Sequence, residues 1–255
     1  MRIGICTDVS HIKMAYELGF DYVEGSASWL AGLSEKEFLE YKNRLLEYPI
    51  QYECFNGLLP GDLAITGAQV NENEVKEYLE RVFGRIHAIG GKIAVFGSGR
   101  TRRVLEGMDF DASYRQVVQF TKMAGKVAEE NQVTIAIEPL NRLETNLICS
   151  VAEGAMLRAD VNMDSVQLLA DSYHMFMEEE PMDNLLRAGY LAHVHVALKE
   201  DRSFPYREDG QLEKFFDTLK RIGYDGRVSI EGRTKQMEQD AAHSIRTLRK
   251  YVEQY

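Results

Sequence analysis

Residues 134–142 read Thr-Ile-Ala-Ile-Glu-Pro-Leu-Asn-Arg. In an extended chain Ile135 and Ile137 share one side, while Thr134, Ala136 and Glu138 share the other. A strand that is apolar on one face and ends in a carboxylate on the other suits a sheet covered by helices, with the polar group delivered at its C-terminal edge. Three later stretches repeat the plan. Val166-Gln-Leu-Leu-Ala-Asp171 sets Val166, Leu168 and Ala170 on one face and Asp171 on the other. Ala192-His193-Val194-His195-Val196 turns its valines toward helices and both histidines inward, with His195 nearer the strand end. Val228-Ser-Ile-Glu231-Gly232 turns Val228 and Ile230 outward and Glu231 inward.

Outward from these four, β-rich runs also occupy residues 2–7, 22–28, 51–57 and 92–97. Between the runs lie helical periodicities at 35–48, 74–89, 114–130, 212–222 and 237–252, typified by Val75, Leu79, Val82, Phe83 and Ile86. Ser34 and Asn71 precede acidic first turns, as N-caps do. Gly19, Gly90 with Gly91, Gly189 and Gly223 stand where helices should stop. Eight strand–helix units in 255 residues leave about 32 residues each, the size of a βαβ unit. The expectation is an α/β fold, a single (β/α)8 TIM barrel spanning residues 1–255, with an open doubly wound sheet as the alternative.

Composition narrows the function. With 45% hydrophobic and 27% charged residues the chain can bury one substantial core. A net charge of −10 argues against nucleic-acid and anionic-membrane partners, which need clustered Lys and Arg. No apolar run approaches the roughly 20 residues that span a bilayer. The opening MRIGICTDVSH carries no leader pattern, so a cytoplasmic protein is expected. Cys6, Cys54 and Cys149 fit neither a disulfide framework nor a CxxC site.

The chemistry gathers where strands five to eight end. Glu138, Asp171, His195 and Glu231 lie one per consecutive strand, all facing inward. A single such carboxylate is commonly a helix cap or a solvated rim residue. Three carboxylates buried together would repel one another unless a cation joined them. One divalent metal ion resolves the conflict, and three oxygens with one imidazole admit manganese, magnesium, cobalt or zinc. His193 reads as a core or supporting histidine beside a substrate-contact role. The loop Gly97-Ser98-Gly99-Arg100-Thr101-Arg102-Arg103 offers a phosphate cradle on Ser98, Gly99 and Arg100, against the plainer reading of an ordinary turn. Trp29 and Phe55 would wall a sugar pocket or simply pack, and Glu24 and Asn56 are further polar candidates near the ends of strands two and three.

The strings IEPLNRLETN (137–146), LLADSYHMFMEEE (168–180), HVHV (193–196) and YDGRVSIEG (224–232) resemble the xylose isomerase-like TIM-barrel superfamily, and most of all its tagatose/psicose 3-epimerase branch. The resemblance implies that Glu138, Asp171, His195 and Glu231 bind a divalent metal, with manganese favoured, and that Glu144, His174 and Arg202 contact substrate. It implies a small-molecule sugar or sugar phosphate as partner, and homodimers or homotetramers. It also implies an isomerase or epimerase that works through a metal-stabilised enediolate, with Glu138 and Glu231 as the acid/base pair. An inosose dehydratase or a hydroxypyruvate-type isomerase would use the same site. A zinc-dependent apurinic-site nuclease shares the barrel but would want more than six histidines and a basic groove. A non-catalytic binding barrel would be favoured by loss of a ligand, and all four are present.

Overall fold

The computed structural model describes residues 1–253. Its strands are β1 (Arg2–Cys6), β2 (Tyr22–Ser26), β3 (Tyr52–Asn56), β4 (Ile93–Phe96), β5 (Thr134–Ile137), β6 (Val166–Asp171), β7 (Leu191–Val196) and β8 (Arg227–Ile230). Among the described residues these eight run parallel in chain order. β8 returns to β1 through Ile3–Val228 and Gly4–Ser229, so the sheet closes on itself. That last pairing excludes the open doubly wound sheet.

The helices are α1 (Ile12–Glu17), α2 (Ala27–Gly32), α3 (Glu35–Leu45), α4 (Glu72–Ala88), α5 (Phe110–Glu130), α6 (Val151–Val161), α7 (Ser172–Met177), α8 (Asp183–Ala188), α9 (Gly210–Arg221) and α10 (Met237–Glu253). Ser34 begins α3 with a capping box: its Oγ accepts from Glu37 N at 3.3 Å, and Glu37 Oε2 accepts from Ser34 N at 2.8 Å. Asn71 caps α4 by accepting from Glu74 N at 3.4 Å. Gly90 follows α4 at φ +86°, a left-handed conformation that glycine adopts freely.

Burial forms two layers. Outward-facing strand residues such as Ile3, Val23, Ile135, Val194, Val228 and Ile230 pack under the helices. Inward residues Tyr22, Cys54, Ile93, Val95, Ala136, Leu169 and Ala192 fill the barrel itself. The filled interior leaves the C-terminal mouth as the place for chemistry. A register shift between Leu168 and Leu169 sets Asp171 opposite His195 in the ladder. It keeps both side chains on the inner face where β6 and β7 end. No helix among the described residues is long and apolar enough to cross a membrane.

Candidate active site

Glu138 and Glu231 lie one residue beyond β5 and β8 and still continue the ladder, their amides donating to Phe96 O and Val196 O at 3.1 Å each. Asp171 closes β6, and His195 is the penultimate residue of β7. The ligand-capable atoms of Glu138, Asp171, His195 and Glu231 all lie within 4.8 Å of one another. Nδ1 of His195 is 3.0 Å from Glu138 Oε1 and 3.4 Å from Glu231 Oε2. Its Nε2 faces away from the cluster, 2.9 Å from Glu24 Oε1. Asn56 Nδ2 donates to Glu231 Oε1 at 2.9 Å.

The electrostatics are those of carboxylates forced together. Burial raises the Glu138 carboxyl, and repulsion from Glu231 adds to the shift against the hydrogen bond from His195. Burial pushes Asp171 up to about 6, although Arg202 opposes the shift. Burial would raise Glu231 as well, but the charge and hydrogen bond of His195, with Arg202, bring it down to about 2. Burial works to lower His195, and Glu24 and Glu231 overcome it, holding the imidazole well above its usual range.

Two buried polar atoms in this site make no hydrogen bond, Asp171 Oδ2 and His174 Nε2. Such orphans ask for an absent partner. An unpaired carboxylate oxygen among three carboxylates and one imidazole could hold a divalent cation, and the donor set fits hard to borderline ions. His174 sits on α7, where its Nδ1 accepts from Asn141 N at 3.0 Å. The ring proton therefore lies on Nε2, which is left as a donor 3.7 Å from Asp171 Oδ2. Asn141, in the loop after β5, is the part of this arrangement that the sequence reading missed. It stands inside the IEPLNRLETN string, but its partner is 33 residues away.

Arg202 reaches the cluster from the loop after β7. Its Nη2 pairs with Glu231 Oε2 and lies 3.5 Å from Asp171 Oδ2, and its Nη1 is 3.5 Å from Glu144 Oε1. Asp201 and Arg202 are both left-handed, at φ 56° and 50°. The loop is held by the segment after β8, where Arg233 N donates to Arg202 O at 2.7 Å. Glu144, His174 and Arg202 thus surround the four strand-end residues. Gly97, after β4, makes room for the site, since a Cβ there would run into Glu138 Oε2.

Three further candidates take these places in the structure. His193 has no exposed surface, and its Nε2 is 2.8 Å from Glu24 Oε2. It lies beneath the mouth, because the strand's period places it one inward position deeper than His195. Glu24 likewise has no exposed surface and holds both histidines. The loop considered as a phosphate cradle is packed against its neighbours. Ser98 Oγ accepts from Leu59 N, a Cβ on Gly99 would meet Leu140 and the Glu144 backbone, and α5 begins only at Phe110. Arg100 stays exposed, while Arg102 is fully buried and donates to the carbonyls of Phe96 and Glu138 at 3.0 and 2.6 Å. That arginine ties the ends of β4 and β5 together. Phe55 is 1% exposed against Tyr52 and Trp29 is 51% exposed, yet both line a pocket of about 440 Å³ beside the cluster, with Cys6, Asp8, Glu24 and Asn56.

A family model described as xylose isomerase-like TIM barrel matches residues 12–251. The chain belongs to that family. This xylose isomerase-like barrel is 28% identical over 229 residues to the D-psicose 3-epimerase of Ruminiclostridium cellulolyticum, covering 87% of this chain and 76% of that protein. It is 27% identical over 243 residues to the 3-dehydro-D-guloside 4-epimerase of Escherichia coli, covering 90% and 88%. The crystal structure of apo 3-keto-D-glucoside 4-epimerase, YcjR, from E. coli superposes with a TM-score of 0.83 at 24% identity, covering 98% of this chain and 99% of that one. That last similarity is one of fold.

Proposed function

We propose that this chain is a carbohydrate epimerase or isomerase that depends on one divalent metal, held by Glu138, Asp171, His195 and Glu231. The observation that carries the reading is the convergence of these four side chains, with an Asp171 oxygen among them that makes no hydrogen bond, at the mouth of a closed barrel. The similarity to proteins named as sugar epimerases supports the reaction class. A divalent metal, manganese by preference, would supply Lewis acidity toward a substrate carbonyl and its neighbouring hydroxyl, easing loss of the adjacent proton.

Glu138 and Glu231 come from β5 and β8, which are not neighbours in the barrel. They would approach the substrate carbon from different sides. One takes the proton next to the carbonyl and the other returns one, so the carbon inverts. Should one carboxylate both remove and return the proton, the carbonyl moves to the next carbon and the outcome is isomerisation. His174, with its proton on Nε2, would donate to a substrate oxygen, and Arg202 and Glu144 would bind hydroxyls. The pocket walled by Trp29 and Phe55 would receive the far end of the sugar. No lysine or arginine lines that pocket, which favours an uncharged sugar over a sugar phosphate. Cytoplasmic placement and a dimeric or tetrameric assembly belong to the same reading.

The test removes metal with a chelator, restores Mn²⁺, and offers ketoses and ketose phosphates in deuterated water. Deuterium at the inverted carbon supports epimerisation, and deuterium at a neighbouring carbon with a moved carbonyl supports isomerisation. Metal-independent exchange would overturn the metal dependence, and no exchange with any substrate would overturn the proposal and leave dehydration or another reaction as the stronger reading.

A further inference from the structure

We infer that Glu24 is the positioning residue for the metal-facing imidazole, an inference that rests on the metal site proposed above. Both Glu24 oxygens are engaged. His195 Nε2 lies 2.9 Å from Glu24 Oε1, and the second Glu24 oxygen is anchored 2.8 Å from His193 Nε2. Glu24, His193 and His195 have no exposed surface. The two imidazoles stand edge to face, 4.8 Å between centroids at 82°, which lets one carboxylate serve both. A carboxylate only accepts hydrogen bonds at neutral pH, so each histidine must present an N–H to it. For His195 this keeps a ring proton on Nε2, so that with a cation bound the Nδ1 lone pair faces Glu138, Asp171 and Glu231. A ligand imidazole held through its other nitrogen by a carboxylate is fixed in tautomer and in ring angle, and loss of such a partner typically weakens metal binding 10–100-fold.

β2 supplies this carboxylate by alternation: Val23 packs outward under the helices and Glu24 turns inward. The HxH pattern of β7 then has a joint role, with His195 facing the metal and His193 bracing the residue that orients it.

The experiment compares Glu24→Gln and Glu24→Asp with the wild-type protein. Mn²⁺ is titrated into chelator-treated samples by calorimetry, and circular dichroism confirms the fold. Glu24→Gln can accept from only one histidine, and Glu24→Asp keeps the charge but withdraws the acceptor by one methylene. Both should raise the Mn²⁺ dissociation constant by about 10–100-fold. Loss of affinity in the glutamine variant alone would mean that Glu24 acts by charge, and wild-type affinity in both would make it purely structural. Either result overturns the inference. A second measurement needs no variant. In the Zn²⁺-loaded wild-type protein, long-range proton–nitrogen NMR should find the His195 proton on Nε2, and a proton on Nδ1 would refute the assignment. A wild-type protein that binds neither ion fails at the metal site itself, which separates that failure from this one.

Discussion

Asp171 is held protonated up to about pH 6 by burial, against an ordinary value of 3.8. Because its folded value lies above its unfolded one, its contribution to the metal-free fold is complete below pH 3.8 and is lost as pH rises through about 6. A cation needs the ionised form, so the dependence of metal binding runs the other way. Mn²⁺ affinity measured by calorimetry should weaken by at least about fivefold between pH 6 and 5, with proton release visible in buffers of different ionisation enthalpy. At the two candidate acid/base positions, Glu138→Gln and Glu231→Gln should each lower turnover by about 10²-fold or more while circular dichroism stays unchanged. Near-wild-type turnover in either variant would remove that residue from the mechanism. All four strand-end residues were legible in the sequence because strand parity alone puts them on one face. The role of Glu24 was not, since its histidine partners lie 169 and 171 residues away. The fate of His193 was half legible: parity says inward, but not how deep.

At the scale of single elements, α3 is the most exposed to a local test. Its capping box joins two backbone amides to Ser34 and Glu37 on the protein surface. Ser34→Ala should destabilise the fold by about 1 kcal/mol, read as a lower urea midpoint at unchanged slope, with metal affinity untouched. That cap was readable because a serine before Glu-Lys-Glu is a strong start signal. So were the long helices α4, α5, α9 and α10, whose apolar stripes run for three turns or more. Short ones escaped. α1, α2, α7 and α8 have six residues each, too few for a 3.6-residue period to stand out, and they exist because flanking strands pin them. The strands were located but drawn too long. β4 and β8 have four residues each, with Gly97-Ser98 and Glu231-Gly232 following them.

For the whole molecule, the site draws on opposite sides of one ring. Ligand-capable groups come from β5 to β8, and the support for them comes from Glu24 on β2 and Asn56 on β3. Closure of β8 onto β1 brings the two halves together, so site and fold should lose stability together. Chelation should lower the melting temperature by about 5–10 °C relative to protein held at 100 times its metal dissociation constant, as expected for about 2.7 kcal/mol of linked stabilisation in a chain of this size. An unchanged melting temperature on adding Mn²⁺ would count against a native-state metal site. Gly97 has a practical bearing on laboratory evolution. The obstacle to a side chain there is the free end of Glu138, which can swing aside, so replacements at this codon should give soluble, well-folded enzyme with a displaced carboxylate. A screen that scores expression would keep such clones and a screen that scores turnover would discard them, so mutant libraries aimed at new sugars do better to leave codon 97 alone and diversify the wall around Trp29.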